Sequence, residues 1–523
     1  MSARKKLPIG IQTFREISEG GYYYVDKTGF ALRLNDEGKY YFLSRPRRFG
    51  KSLFLDTLAE LFAGNEALFD GLEAYRRWDF SRRYPVLRLS FGGGVVQSAA
   101  ALDVRIRDLL RINAEALGIE AQQDLDISGQ FASLIREARA ARGERVVVLV
   151  DEYDKPILDN LTRPEAAREI RDGLRNLYSV IKDSDANIRF ALLTGVSKFS
   201  KVSLFSGLNN LNDITVDARY SAICGYTEAD LAQVFAPELD GLDRAEIRDW
   251  YNGYNWTGEA VYNPFDVLLL FDRRQFRPWW FETATPTFLV DVLTERQVWL
   301  PALGQLEADA ALLSTFDVGH MSTEALLFQT GYLTIESEEQ LSGAWFYRLR
   351  WPNREVYQSL NAALLDAWTG VGESGTSTTA ARGRRSLYKL LLSNDFAGLE
   401  RFFAALFSGI PTDWYRNNPI CRYEGYYASV FYAVFAALGL DLTPEESSNA
   451  GRLDLALRFN GQVYLFEFKV VELAPEGRAL QQIKDGGYAD PYRGAGKPIH
   501  LIGVEFSRER RTVVGFDVET LGA

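Results

Sequence analysis

The run Val146-Val-Val-Leu-Val150, closed by the acids Asp151 and Glu152, constrains the fold of this chain more than any other segment. Five consecutive apolar residues, four of them valine, leave no polar face for water. They require a strand covered on both sides, as in the centre of a parallel sheet. Helical spacing over Val104–Leu117, Phe131–Arg142 and Glu165–Lys182 alternates with strand candidates at Tyr40–Ser44, Pro85–Phe91 and Ile188–Thr194. That alternation predicts right-handed crossovers, so residues 1–224 are expected to form an α/β domain, a parallel sheet flanked by helices.

Within that frame, Ser44-Arg-Pro-Arg-Arg-Phe-Gly50-Lys51-Ser52 lies between a strand and the helical run Ser52–Phe62. This is the context of a phosphate loop: amides at a helix N-terminus cradle phosphates, a lysine reaches the outer oxygens and a serine hydroxyl binds Mg²⁺. Arg45, Arg48, Phe49, Gly50, Lys51 and Ser52 are the candidate nucleotide-binding residues, with Arg45 where a glycine usually opens the loop. Asp151 is expected to hold the Mg²⁺ with Ser52, Glu152 to polarise an attacking water, and Thr194 to serve as a polar sensor on the neighbouring strand. Taken alone, Gly-Lys-Ser also suits an ordinary helix start with a solvated lysine, and two acids can simply cap a strand. Their order in an α/β setting favours the nucleotide site. The loop arginines could contact phosphates, meet a neighbouring subunit or stay solvated.

From Gly225 the pattern changes. Thr227 and Asp230 read as the N-cap and third residue of a capped helix. Residues 225–300 are expected to form a helical lid, 301–385 a mixed connector, and 386–523 a last domain. The Gly/Ser/Thr/Ala-rich stretch Val371–Arg384 is the linker candidate. The aromatic clusters Trp250–Trp256 and Trp279–Phe281 are read first as core and only second as base-stacking surfaces.

In the last domain, Asn460-Gly461 separates two alternating strands, the strongest short signal for a two-residue hairpin. Phe459 then pairs with Gln462, and counting outward sets Asp454 opposite Glu467. Leu455, Leu457 and Phe459 share a face with Tyr464, Phe466 and Phe468, while Asp454, Glu467 and Lys469 share the other. Like charges directly opposed repel, and a Mg²⁺ bound by both acids resolves this. Lys469 would then orient or deprotonate a water, or neutralise a phosphorane-like transition state. The spacing fits equally a polar outer face on which Lys469 screens two acids.

Composition narrows the chemistry. With 47% hydrophobic and 25% charged residues, the 523-residue chain has the balance of soluble globular protein. Two cysteines and two histidines, all far apart, argue against structural zinc, a disulfide framework and histidine-based nuclease chemistry, and fit a reducing cytoplasm. The work falls to carboxylates, Lys, Arg and backbone amides. No signal peptide or membrane span is expected. A net charge of −11 disfavours a non-specific wrap around nucleic acid without excluding a local basic groove.

The segments Gly10-Ile-Gln-Thr-Phe14, Tyr23-Tyr-Val-Asp26-Lys27-Thr28, Arg45–Ser52, Asp151-Glu-Tyr-Asp154-Lys-Pro156, Phe205-Ser-Gly-Leu-Asn209-Asn210-Leu and Cys224-Gly-Tyr-Thr-Glu together resemble the AAA-ATPase-like family of P-loop proteins, which places arginine first in the loop. Trp250-Tyr-Asn-Gly-Tyr254, Gln329-Thr-Gly-Tyr-Leu333 and Pro352-Asn353 continue the likeness. The C-terminal part resembles the associated PD-(D/E)XK, restriction-endonuclease-like domain. That resemblance implies Glu424 as an acidic helix residue and metal ligand, Asp454 and Glu467 as motif acids and metal ligands, Lys469 as the motif lysine, and Gln482 with Tyr488 in the following helix motif. Gly425-Tyr-Tyr427 departs from it, because a histidine is expected after the tyrosine. The resemblance implies an ATP-binding, Mg²⁺- or Mn²⁺-dependent nuclease, with the P-loop module controlling cleavage and a role against mobile elements. The expected partner is nucleic acid, DNA before RNA, and the sequence leaves open whether the chain forms a homo-oligomer. The alternative is a regulatory NTPase switch whose C-terminal domain binds nucleic acid or a protein without cutting.

Overall fold

A computed structural model describes residues 4–522 apart from 121, 199–203, 205–207, 209, 285–288, 291, 294, 295, 297–299, 311, 312, 314, 315, 318, 319, 369–376, 410–423, 449, 450, 494, 495 and 511. The apolar run forms β3 (Val146–Asp151), one of five parallel strands with β1 (Tyr40–Ser44), β2 (Val86–Ser90), β4 (Ile188–Gly195) and β5 (Asn212–Asp213), in the order β2-β3-β4-β1-β5. Val146 to Val150 are each at most 2% exposed, as a strand covered on both faces must be. Helices Lys51–Phe62, Ala99–Leu117, Ile127–Arg142 and Pro164–Asp183 flank the sheet. The last turns Ile170, Leu174, Leu177, Tyr178 and Ile181 inward at helical spacing. Because β4 lies between β1 and β3, Leu43 pairs with Thr194 and Val150 with Leu193. The carboxyl ends of these three strands, where open α/β sheets hold ligands, are therefore neighbours.

The chain forms two compact units. The first comprises Met1–Trp280 with Leu306–Asn353, the second Phe281–Gln305 with Arg354–Ala523. In the first unit, helix Glu228–Val234 opens with the expected capping box of Thr227 and Asp230. Helices Arg244–Tyr251 and Pro264–Arg273 follow. The return segment adds β6 (Leu306–Asp309), the short pair β7 (Phe316–Asp317) and β8 (His320–Met321), and β9 (Thr334–Leu341) with β10 (Ala344–Arg350), the sheet order being β6-β10-β9.

Residues 377–384, read from composition as linker, instead begin helix Ser377–Leu392. Alanine and arginine are good helix formers, and burial of Leu387 and Leu391 anchors the later turns.

The second unit holds a five-stranded mixed sheet in chain order: β11 (Asp441–Ser448), β12 (Gly451–Phe459), β13 (Gln462–Val471), β14 (Ile499–Ser507) and β15 (Val513–Leu521). Only β13 and β14 run parallel, joined through helix Arg478–Asp485. Asn460 (φ 49°) and Gly461 (φ 73°) are both left-handed, as the two-residue hairpin requires, and Phe459 pairs with Gln462. Phe466 and Phe468 pack on helix Glu424–Ala436 through Phe435 and Phe431, at ring separations of 5.4 and 4.9 Å. The opposite face is also covered: Ala456, Val463 and Leu465 share a core with Ile483, Tyr488 and Ala489. The acid-bearing side of the hairpin is therefore not a solvated outer face.

Candidate functional site

The loop from β1 to helix Lys51–Phe62 turns at two left-handed residues, Arg48 (φ 67°) and Gly50 (φ 92°). A Cβ at Gly50 would meet no atom within 4 Å, so the loop mouth there is open. Lys51 begins the helix, buried, its Nζ donating to the carbonyls of Arg45 and Pro46 at 2.9 Å each. Burial lowers its pKa, opposed chiefly by the charge of Asp151 and then by Cys224, Asp154 and Glu152. Ser52 follows on the same turn, half-buried.

Arg45 does not face the loop mouth. Its guanidinium is 1% exposed, lies 3.9 Å from the Trp256 ring centroid, and donates to the carbonyls of Ser44 (2.9 Å), Thr215 (2.9 Å) and Tyr220 (3.0 Å). Where a phosphate-binding side chain was expected, the guanidinium is engaged with backbone acceptors and anchors the loop from within. Burial pushes its pKa down to about 10. Phe49 is buried edge-on to Tyr254 and Trp256, and Trp280 donates its indole N–H to the Arg47 carbonyl at 3.0 Å. Trp256 and Trp280 thus belong to the core that grips the loop. Arg47 and Arg48 remain exposed, the Arg48 guanidinium 5.0 Å from the Phe265 ring centroid.

Asp151 ends β3. Its Oδ1 accepts from the Thr194 hydroxyl at 2.9 Å and from the Glu152 N–H at 3.0 Å. Glu152 adopts φ 51°, and burial first, then the Asp151 charge, raises its pKa. Asp154, which carried no assigned role in the sequence reading beyond its place in the motif, is 1% exposed. Its Oδ2 accepts from the N–H groups of Val196 (3.1 Å) and Ser197 (2.6 Å) and from the Ser197 hydroxyl (2.5 Å). It thereby fixes the loop that leaves β4. Gln329, also buried, accepts from the Lys198 N–H at 2.9 Å and donates to the Leu313 carbonyl at 2.9 Å. Asn209 lies outside the described residues, and Asn210 is exposed.

The second constellation lies in the hairpin. The β12–β13 ladder runs from Phe459–Gln462 to Leu455–Phe466, one step short of Asp454 and Glu467. At that step Asp454 Oδ2 accepts from the Phe468 N–H at 2.8 Å. Glu467 is 1% exposed; Lys469 Nζ donates to its Oε1 at 3.2 Å, while Oε2 has no hydrogen-bond partner among the described residues. Burial, and secondarily the Asp454 charge, pushes the Glu467 carboxyl up to about 7, against the pull of Lys469. A buried carboxylate oxygen without a donor is costly, and hard oxygen donors suit a Mg²⁺- or Mn²⁺-like ion, so this pair fits the expected metal. No group of three metal-ligating side chains occurs among the described residues. Glu424 starts its helix, but its side chain lies outside them. Gln482 is half-buried on helix Arg478–Asp485, and Tyr488 is buried just beyond it.

His500 sits in β14 between Thr520 (2.9 Å) and Gln462 (2.7 Å), a structural place. Sequence reasoning passed over Glu505, the one acid within the apolar run Ile499–Phe506; an acid in such a run was the available signal.

Residues 8–205 match the family described as "predicted AAA-ATPase", and residues 422–516 match the PD-(D/E)XK nuclease superfamily. The chain is 68% identical over 521 residues to an uncharacterized protein in the vnfD 5′ region of Azotobacter chroococcum mcd 1, covering 99% of this chain and all of the relative. No solved structure matches it. Among the described residues, no helix is long and apolar enough to cross a membrane.

Proposed function

This chain belongs to the AAA-ATPase-like family and carries a PD-(D/E)XK nuclease superfamily domain at its C-terminus, and from that premise we propose that it is an ATP-binding, Mg²⁺-dependent nuclease whose P-loop module controls cleavage of DNA. The observation that carries the nuclease reading is Glu467: a buried carboxylate beside Asp454, one oxygen on Lys469 and the other without a donor among the described residues.

Asp454 and Glu467 would hold the divalent cation, which supplies Lewis-acid charge at the scissile phosphate. Lys469 Nζ, 3.2 Å from Glu467 Oε1, is placed to stabilise negative charge developing on phosphate. In the first unit, Lys51 would exchange the Arg45 and Pro46 carbonyls for phosphate oxygens of ATP, and helix Lys51–Phe62 begins directly after the open position at Gly50. Asp151 and Ser52 would hold its Mg²⁺, and Glu152, next to Asp151 in the chain, would orient water.

The test is cleavage of single- and double-stranded DNA and RNA with Mg²⁺ or Mn²⁺, with and without ATP. Wild type should cut DNA. Asp454→Ala and Lys469→Ala should bind ATP normally and lose cleavage, while Lys51→Ala should lose ATP binding and the ATP response. Cleavage by Lys469→Ala at the wild-type rate would overturn the nuclease assignment.

A further inference from the structure

Glu505 is a buried carboxylate that the proposed chemistry leaves unused. It is 1% exposed in β14, in register with Lys469, two residues beyond Gly503, which pairs with Glu467. Period-two alternation sets Glu467, Lys469, Gly503 and Glu505 on one face of the sheet.

Both oxygens of Glu505 accept from backbone amides. Oε1 accepts from Arg478 at 2.6 Å and Ala479 at 3.3 Å, and Oε2 from Gly477 at 3.1 Å and from Glu476. These N–H groups open helix Arg478–Asp485, and a helix start leaves such donors orphaned and favours negative charge. The helix's own N-cap is Gly477, which has no side chain to serve them. Gly503 completes the clamp, since a Cβ there would come within 2.7 Å of the Leu480 Cα. The helix start therefore rests directly on the backbone paired with Glu467.

An exposed serine or aspartate caps a helix without burying a charge. Here the cap comes from the strand alongside Glu467 and Lys469, so the helix that carries Gln482 is referenced to the strand pair that carries the acids. We propose that Glu505 is a positioning residue of the Asp454–Glu467–Lys469 site: by holding the N-terminus of helix Arg478–Asp485 it fixes that helix over Glu467 and sets where Gln482 stands. The proposal rests on the nuclease reading above.

The experiment uses the full chain with Glu505→Gln and Gly503→Ala. The first keeps the size but turns one accepting oxygen into a donor; the second keeps Glu505 and lifts the helix start. Folded fraction is followed by circular dichroism, DNA cleavage by steady-state kinetics, and the cation site by Mn²⁺ titration without DNA. In both variants kcat is expected to fall about tenfold or more with KM for DNA unchanged within about twofold, and Mn²⁺ affinity to weaken about tenfold. Wild-type kcat and Mn²⁺ affinity in both variants, or losses that track the folded fraction, overturn the proposal. A wild type that cleaves nothing sinks the nuclease reading instead, and the Mn²⁺ titration still decides whether Glu505 positions the acids.

Discussion

The Thr194 hydroxyl donates to the Asp151 carboxylate at 2.9 Å, from the strand that separates the phosphate loop from the acid. The residue proposed to sense the nucleotide and the residue that would hold Mg²⁺ are thus one hydrogen-bonded pair. Thr194→Val keeps the shape and removes the donor. It should cost about 1 kcal/mol of stability and raise the Mg²⁺ concentration needed for nucleotide binding. Urea unfolding and fluorescent-nucleotide binding across a Mg²⁺ series check this; an unchanged Mg²⁺ midpoint would count against the pairing's role.

Arg45 should prove irreplaceable by lysine. A lysine cannot lie flat over Trp256 and reach the carbonyls of both Thr215 and Tyr220, so Arg45→Lys leaves buried acceptors unpaired. The expected loss is about 2–3 kcal/mol, read as a lower urea midpoint, with ATP binding weakened as a consequence of a looser loop.

Glu467 predicts a pH dependence of stability in chelator-treated protein. Its folded pKa of about 7 lies above the ordinary 4.5, so the folded state binds the proton more tightly than the unfolded chain. The stabilisation is complete below 4.5 and is lost as pH rises through about 7. The wild type should be less stable at pH 8 than at pH 5 by on the order of 2–3 kcal/mol from this group. Glu467→Gln should abolish that loss, and added Mn²⁺ should offset it in wild type. Parallel pH profiles for the two proteins would contradict the assignment.

The hairpin turn gives a stability prediction with no catalytic component. Gly461→Val forces a β-branched residue to φ 73° and should cost about 1–2 kcal/mol. Cleavage per folded molecule should stay at the wild-type level, compared after correcting for folded fraction.

What the sequence made legible was local. Asn460-Gly461 dictates its own turn geometry, and from it the Phe459–Gln462 register follows. The valine run dictates a strand covered on both faces. What was hidden depended on partners far along the chain. Arg45 turns inward because its acceptors lie 170 and 175 residues away. The ladder stops before Asp454 because that side chain takes the Phe468 N–H itself, which counting along strands cannot foresee. The acid-bearing face is buried rather than solvated because helix Arg478–Asp485 returns over it, pinned through Glu505.

The two compact units are interleaved along the chain, which leaves the first at Trp280, re-enters it at Leu306 and leaves again after Asn353. No single break yields the second unit whole: a cut after Asn353 keeps the first unit entire but leaves Phe281–Gln305 of the second on the N-terminal fragment. A recombination event that exchanged the second unit for another would have to cross over at three junctions rather than one. The two units are therefore expected to be inherited together, and a chimera that respects all three junctions is the one that should fold.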